Sequence, residues 1–478
     1  MSTEAGVRAG ETRGSRRRRR ERSGFVRSLS VVLAVLLVAA IAGSVLSLTQ
    51  GPRASTVVVD TEAIAESAGQ RVVFTASQPL EQIDPAQITV EPAAPYSVET
   101  SGRHVAVQFT YALDPDTSYE VTIDDVVGTS GGPESTLSHD FTTAVPPLYV
   151  LQRSEDGDDA VFLTNLEGDR AVPVFTHGQI EDFRESRSGL VVQTTDDDGA
   201  AALTVTARDG GDPTPLSLPG AGTVSGLQAA DRGGLIGYTY TDLDVSDEGG
   251  IESRLYLSRM DDPGTPPRAV DLGDESRVSQ WSFVPDTSSL LVLTFDGQLR
   301  LVDPQDPDAS PVSLGTAISL SGVERGTGRA IVERADGMVT IDLTDLSEEA
   351  LVTTTAIEEL GLPGPVRPFA EGETLRTFTR MGADGYPESQ SVVTVGPEGE
   401  VAPVLTLADS GDAVMQACAS PSGRYAAVTV APDLAQNPYD TYARPLPVTL
   451  QTHIIDTDAG ETITVIDGTD VSWCPVAP

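Results

Sequence analysis

Lysine is absent from the 478 residues: all 31 basic side chains are arginine, the usage of a GC-rich genome. That absence removes Schiff-base catalysis and the phosphate-binding lysine of a P-loop. Histidine is scarce too, and His104, His139, His177 and His453 stand at no metal-binding or acid–base spacing. Aromatic residues make up 5% and there are two cysteines, so zinc ribbons and disulfide-dense scaffolds are excluded. With 39% hydrophobic residues the chain is too long for one ordinary domain and too apolar to be disordered.

Charge is distributed unevenly. Nine arginines, including the run Arg16 to Arg20, and three acids precede residue 28, which leaves 68 acids against 22 arginines beyond residue 48, a net of about −46. Such a surface repels phosphate backbones, so nucleic acid is not an expected partner. The arginine run instead precedes an uncharged apolar stretch, Leu29 to Leu48, of bilayer-spanning length. Arginine on the N-terminal flank holds that flank in the cytoplasm. The expectation is a basic cytoplasmic tail over 1–28, a signal anchor over 29–48, and a single-pass cell-membrane protein with its bulk outside. A cleaved signal peptide, cut near Ala40-Ile41-Ala42, is the alternative.

Beyond a short polar linker, alternating runs over 71–75, 87–90, 104–109, 119–123 and 138–143 read as short strands of a β-sandwich covering 54–144. From 146 to 478 a phrase recurs in which an apolar strand precedes a Pro-marked turn. It begins at Ile180, Val224, Val278, Ile318, Val366, Val414 and Val471, intervals of 44, 54, 40, 48, 48 and 57 residues. That is the spacing of propeller blades. Asp-Gly hairpin turns follow at 156–157, 198–199, 296–297, 336–337 and 384–385. The last phrase stops after one strand. The seventh blade must therefore combine Leu148–Leu151, Ala160–Leu163 and Ala171–Phe175 with Val471–Pro478, so that the C-terminal strand closes the ring. The expected fold is all-β: a transmembrane helix, a sandwich and a seven-bladed β-propeller.

Cys418 and Cys474 occupy matching places in neighbouring inner strands. In an oxidising exterior they should pair and clasp the ring, the alternative being two free buried thiols. Three connections between second and third strands are long: 242–250, 383–389 and 431–447. All three must emerge on one face of the disc, which would present Tyr386, Tyr439, Tyr442 and Arg444, residue types enriched at binding surfaces. The acids Asp242, Asp244, Asp247 and Glu248 in the first loop offer oxygen ligands for Ca²⁺ without matching an EF-hand. Gly128-Thr-Ser130-Gly-Gly132 matches a loose G-x-S-x-G, but in a hairpin and not at a strand-to-helix elbow.

Two resemblances follow. The phrase Leu113-Asp-Pro115-Asp-Thr117-Ser-Tyr119-Glu-Val121, with Phe141-Thr-Thr143, resembles the tyrosine corner of Ig-like and fibronectin-like sandwiches and looks like the SbsA-like bacterial Ig-like domains. That resemblance implies a spacer or adhesive module without catalytic residues. The repeat region, with Ala419-Ser-Pro-Ser-Gly423 and Val284-Pro-Asp286, resembles WD40-like and TolB-like extracytoplasmic propellers. The whole is similar to membrane-anchored envelope proteins of the actinobacterial type. The implied function is non-enzymatic: a tethered binding or scaffolding protein that holds an envelope protein or a cell-wall glycan. Two other classes stay open. One is a glycan hydrolase or lyase with carboxylates in the propeller funnel, where Glu181 and Asp182 are candidates; the other is a calcium-stabilised adhesin.

Overall fold

The computed structural model describes residues 28–38 and 51–476, except 156, 197, 247–248, 274, 307–308, 355–356 and 409–410. Residues 28–38 form an exposed helix, and among the described residues no helix is long and apolar enough to cross a membrane. Residues 39–48 of the expected anchor, including Ala40-Ile41-Ala42, and residues 1–27 of the tail lie outside the described residues.

Residues 54–142 build a two-sheet antiparallel sandwich. One sheet orders Ala54–Val58, Arg71–Ala76, His104–Phe109 and Tyr96–Ser101; the other orders Ile88–Glu91, Ser118–Val126 and Ser135–Thr142. The first and fourth of these seven strands escaped the sequence pattern. Period-two alternation turns Val72, Phe74, Val105 and Val107 inward against Val121, Ile123 and Leu137. Buried Tyr119 makes the kind of bond that the resemblance to a tyrosine corner implies: its hydroxyl oxygen accepts the backbone N–H of Asp114 at 3.2 Å.

Seven antiparallel meanders follow. The first has three strands, Leu148–Gln152, Asp159–Thr164 and Val172–His177. The second to seventh have four each, and their inner strands are Ile180–Ser186, Gly222–Ala229, Val278–Phe283, Ser319–Val323, Leu362–Pro368 and Ala413–Ala419. These starts fall within four residues of those read from the repeat. Every one of the six inner strands breaks register once with its neighbour. Such bulges raise local twist and re-aim side chains, here along strands that converge on one axis. Between Leu290–Thr294 and Gln298–Val302 the Asp296-Gly297 turn needs φ of +79° at its second residue, which glycine adopts freely.

Apolar clusters lie between successive sheets. Tyr149 and Val161 meet Phe183 and Leu190 across the first seam, and Leu227 and Tyr238 meet Val191 and Leu203 across the second. Neutral amides add rungs: Gln193 Nε2 donates to Val224 O at 3.0 Å, Gln228 Nε2 to Trp281 O at 2.8 Å, and Gln280 and Gln390 accept from Leu320 N and Val414 N. The seam between the fifth and sixth sheets differs. No buried apolar cluster spans it among the described residues; Arg367 Nη1 reaches Ser321 O at 3.0 Å and Arg376 Nη2 reaches Val352 O at 2.7 Å.

Two expectations need correction. The C-terminal segment does not form a full inner strand among its described residues, which end at 476: the pairing is a bridge at Thr469, which exchanges backbone hydrogen bonds with Leu151 at 2.8 and 2.9 Å, and the chain then turns, with Ser472 N–H reaching Tyr149 O. Pro475 next to Cys474 has no N–H to extend a ladder. The first sheet therefore stays three-stranded. Nor is 383–389 an extended loop, because the ladder continues to Met381 opposite Pro387 and closes in a tight turn.

Cys418 and Cys474 are disulfide-bonded across 56 residues, as expected, and tie the seventh inner strand to the C-terminal segment. Replacing both by serine should lower unfolding stability by about 4 kcal/mol, the loop-closure value for such a span. In urea titrations reductant should move the parent's midpoint and leave the variant's unchanged; equal midpoints for the two chains would sink the clasp.

Candidate functional site

In a meander the turns between strands one and two, and three and four, lie on one face, and the remaining connections lie on the other. The sandwich packs on the first, hairpin face. Arg187 of a strand one–two turn approaches Asp60 at 3.3 Å and Glu66 at 3.7 Å, and Arg208 of a strand three–four turn reaches Glu66 at 2.8 Å and Glu62 at 3.4 Å. Tyr111 Oη donates to Glu324 at 3.3 Å. Gly326 comes so close that a Cβ would lie 2.1 Å from Thr110 O. The sandwich is thus seated on the sheets and is not held away from them as a free spacer.

All six inner strands and the C-terminal segment line one axial cavity of about 540 Å³, which Glu66, Ser67, Tyr111, Pro146 and Pro147 close on the sandwich side. Its wall holds Trp281 and Trp473, the chain's two tryptophans, along with Phe283 and Phe369. Gly226 and Gly237 leave the space that the Trp281 indole fills, since a Cβ on either would meet its ring.

On the opposite, loop face the 432–450 connection folds down over the first and second sheets. Tyr442 Oη donates to both Asp159 oxygens, at 2.8 and 2.9 Å, while Asp159, fully buried, also accepts from Ser154 N and Ile180 N. The Arg153 guanidinium stacks 4.2 Å over the Tyr442 ring and pairs with Asp440 at 2.7 Å. Arg444 Nη2 donates to Asp470 at 2.9 Å and to the Glu181 carbonyl at 3.2 Å. Burial, and then the bond to Asp159, hold the Tyr442 phenol above the ordinary tyrosine range. Tyr442 and Arg444 were expected on an open rim; they are half-buried and turned to the buried carboxylates Asp159 and Asp470, whose charge they help to compensate. Tyr386 and Tyr439 do stand free, 71% and 53% exposed.

The funnel carboxylates are occupied. Glu181 accepts from Gln179 Nε2, Ala443 N and Arg444 N, and Asp182 pairs with Arg184 at 2.9 Å, which also lies 3.6 Å from Asp470. Burial raises the Asp182 carboxyl, with Arg184 opposing. Glu185, bonded by Arg208 at 2.6 Å, is pushed up by burial to about 7.

Of the calcium candidates, Asp242 accepts Ile251 N at 2.7 Å, Asp244 is exposed, and Asp247 and Glu248 lie outside the described residues. Among the described residues no three His, Cys, Asp or Glu side chains are grouped to hold a metal. Ser130 is exposed in a turn of the sandwich, and all four histidines lie in strands. Arg153, Asp159 and Asp470 escaped the sequence reading because the side chains they bond, Asp440, Tyr442 and Arg444, are 26 to 287 residues away in the chain, beyond any local pattern.

No protein-family model and no curated protein matches the chain. Solved structures to which it is similar include the β-propeller domain of Cps50 (Swd1) from Myceliophteria thermophila, at 12% identity and TM-score 0.40, covering 62% of this chain and 87% of that one. Others are an oligogalacturonate lyase in complex with manganese, at 10% and 0.45 over 86% and 98%, and TolB from Acinetobacter baumannii, at 9% and 0.34 over 81% and 83%. None of these transfers an activity to this chain.

Tyr442→Phe leaves Asp159 without its phenolic donor and should cost about 1–3 kcal/mol, read as faster proteolysis within 432–450; unchanged cleavage would refute the strap. For Glu185 the folded value of about 7 lies above the ordinary 4.5, so between them the folded chain holds a proton that the unfolded chain lacks. Its stability contribution is full below 4.5 and is lost as pH rises through 7. Denaturation of Glu185→Gln beside the parent at pH 5 and pH 8 should show the difference moving in the variant's favour at the higher pH, and parallel curves would contradict this.

Proposed function

We propose that the chain is a non-enzymatic binding protein of the cell envelope. It is tethered by the 29–48 segment with its N-terminus in the cytoplasm, and it joins an Ig-like domain to a seven-bladed propeller closed by its C-terminal residues. The open loop face of that propeller holds an envelope protein or a cell-wall glycan.

One observation carries this reading: the sandwich covers the hairpin face, so the uncovered face is the one on which Tyr386 and Tyr439 project. Exposed tyrosines supply large contact area at low entropic cost. The pairing of Asp182 and Glu185 with arginine supports binding over glycan cleavage, since an acid or nucleophile has to reach its substrate. The acidic surface favours a neutral or basic partner.

The test uses the full-length chain and the Tyr386→Ser, Tyr439→Ser double variant against purified wall glycan and solubilised envelope proteins. The parent should retain a partner that the variant binds about tenfold more weakly, the scale of a lost aromatic anchor. Equal binding by both chains would overturn the face, and glycan turnover would overturn the non-enzymatic reading.

A further inference from the structure

Among the described residues seven charged side chains line the axial cavity, and six of them are paired. Arg184 has Asp182 and Asp470, Arg187 has Asp60 and Glu66, Arg325 has Asp231 at 3.1 Å, and Glu185 has Arg208. The seventh is Arg367, on the sixth inner strand. Its one hydrogen bond among the described residues runs from Nη1 to the Ser321 carbonyl at 3.0 Å, and no described carboxylate lies within ion-pair distance. Burial alone shifts its guanidinium, downward, with no opposing charge to restore it.

Arg367 is half-buried and has no counter-charge among the described residues, so the wall carries one uncompensated positive charge in a chain that is otherwise strongly acidic. A guanidinium presents donors in a planar fork that fits a carboxylate at two points. Nearby, Gln280 accepts Leu320 N–H through Oε1, while its amide nitrogen makes no bond to a described residue and is left as a further donor on the same wall. The rest of the wall includes the aromatic residues Trp281, Phe283 and Phe369. A volume of about 540 Å³ suits a small molecule.

We propose that the axial cavity is a binding site for a small organic monocarboxylate, its carboxylate bidentate on Arg367 and its apolar body against Trp281, Phe283 and Phe369. The single unpaired cation selects one negative charge and not the two of a phosphate ester. This site is separate from the loop face, so its failure leaves the proposed partner face untouched, and the reverse holds too.

Because both tryptophans line the cavity, their fluorescence reports its occupancy directly. The full-length chain is titrated with benzoate, 3-phenylpropionate and hexanoate, with the corresponding primary amides, and with inorganic phosphate, and melting is followed in parallel. At least one carboxylate should saturate the signal below about 10 mM and bind about tenfold more tightly than its amide, the scale of one charge-assisted contact. Arg367→Met should lose that preference and the ligand-induced rise in melting temperature; it also loses the bond to the Ser321 carbonyl, so binding is compared at a temperature well below both unliganded melting points. Arg367→Lys should keep part of the preference. The proposal is overturned if carboxylate and amide bind alike, if no carboxylate moves the fluorescence, or if phosphate binds more tightly than every carboxylate. It is also overturned if Arg367→Met binds as the parent does.

Discussion

A sheet apolar on both faces cannot end a row, and the packing of the seventh sheet against the first is the constraint to which the rest of this molecule answers. Each meander buries its faces against its neighbours, so the seventh and first have to meet or leave two apolar walls in water. Three devices act at that seam. Leu148, Val150, Ile454 and Trp473 share one apolar cluster, the Cys418–Cys474 bridge fastens it covalently, and Thr469 and Leu151 exchange backbone hydrogen bonds. Over the top, Asp159 gathers donors from the first sheet, the second sheet and the seventh sheet's long loop. A shortened terminal strand is sufficient because the loop shares its task.

The same loop explains why Tyr442 and Arg444 misled the sequence reading. Composition marked them as residues that bind partners, and they do bind, but within their own chain. A tyrosine or arginine in a long connection has the same local signature whether it faces solvent or a carboxylate 283 residues earlier. The fold was legible where the physics is local: strand starts follow from apolar runs before proline, and hairpins from Asp-Gly pairs that accept positive φ. The two cysteines were legible because the repeat placed them in register. Tyr119 was legible because its acceptor role is played out five residues away. What stayed hidden was the packing of one unit on another, set by Arg187, Arg208 and Gly326, and the isolation of Arg367. An arginine without a partner is defined by what is missing around it, and no spacing in a sequence encodes that.

The seams are not equivalent. Six rely on shared apolar clusters, reinforced at four of them by glutamine rungs; between the fifth and sixth sheets guanidinium-to-carbonyl bonds replace the cluster, and Gly322 lets Pro368 approach within 3.1 Å of where its Cβ would stand. Of the two arginines at that seam, Arg367 also faces the axial cavity. Placing Arg367, which has no carboxylate partner among the described residues, at the least apolar joint couples whatever occupies the cavity to the strength of that seam.

The glutamine rungs and the sandwich contacts also differ in what they respond to. Amide-to-amide bonds carry no net charge and are indifferent to electrolyte, whereas Arg187 and Arg208 hold the sandwich through partly exposed pairs that mobile ions screen. Rising ionic strength therefore loosens the joint between the two units before it touches the apolar seams and amide rungs of the seven sheets, making the sandwich a detachable floor beneath walls that hold fast.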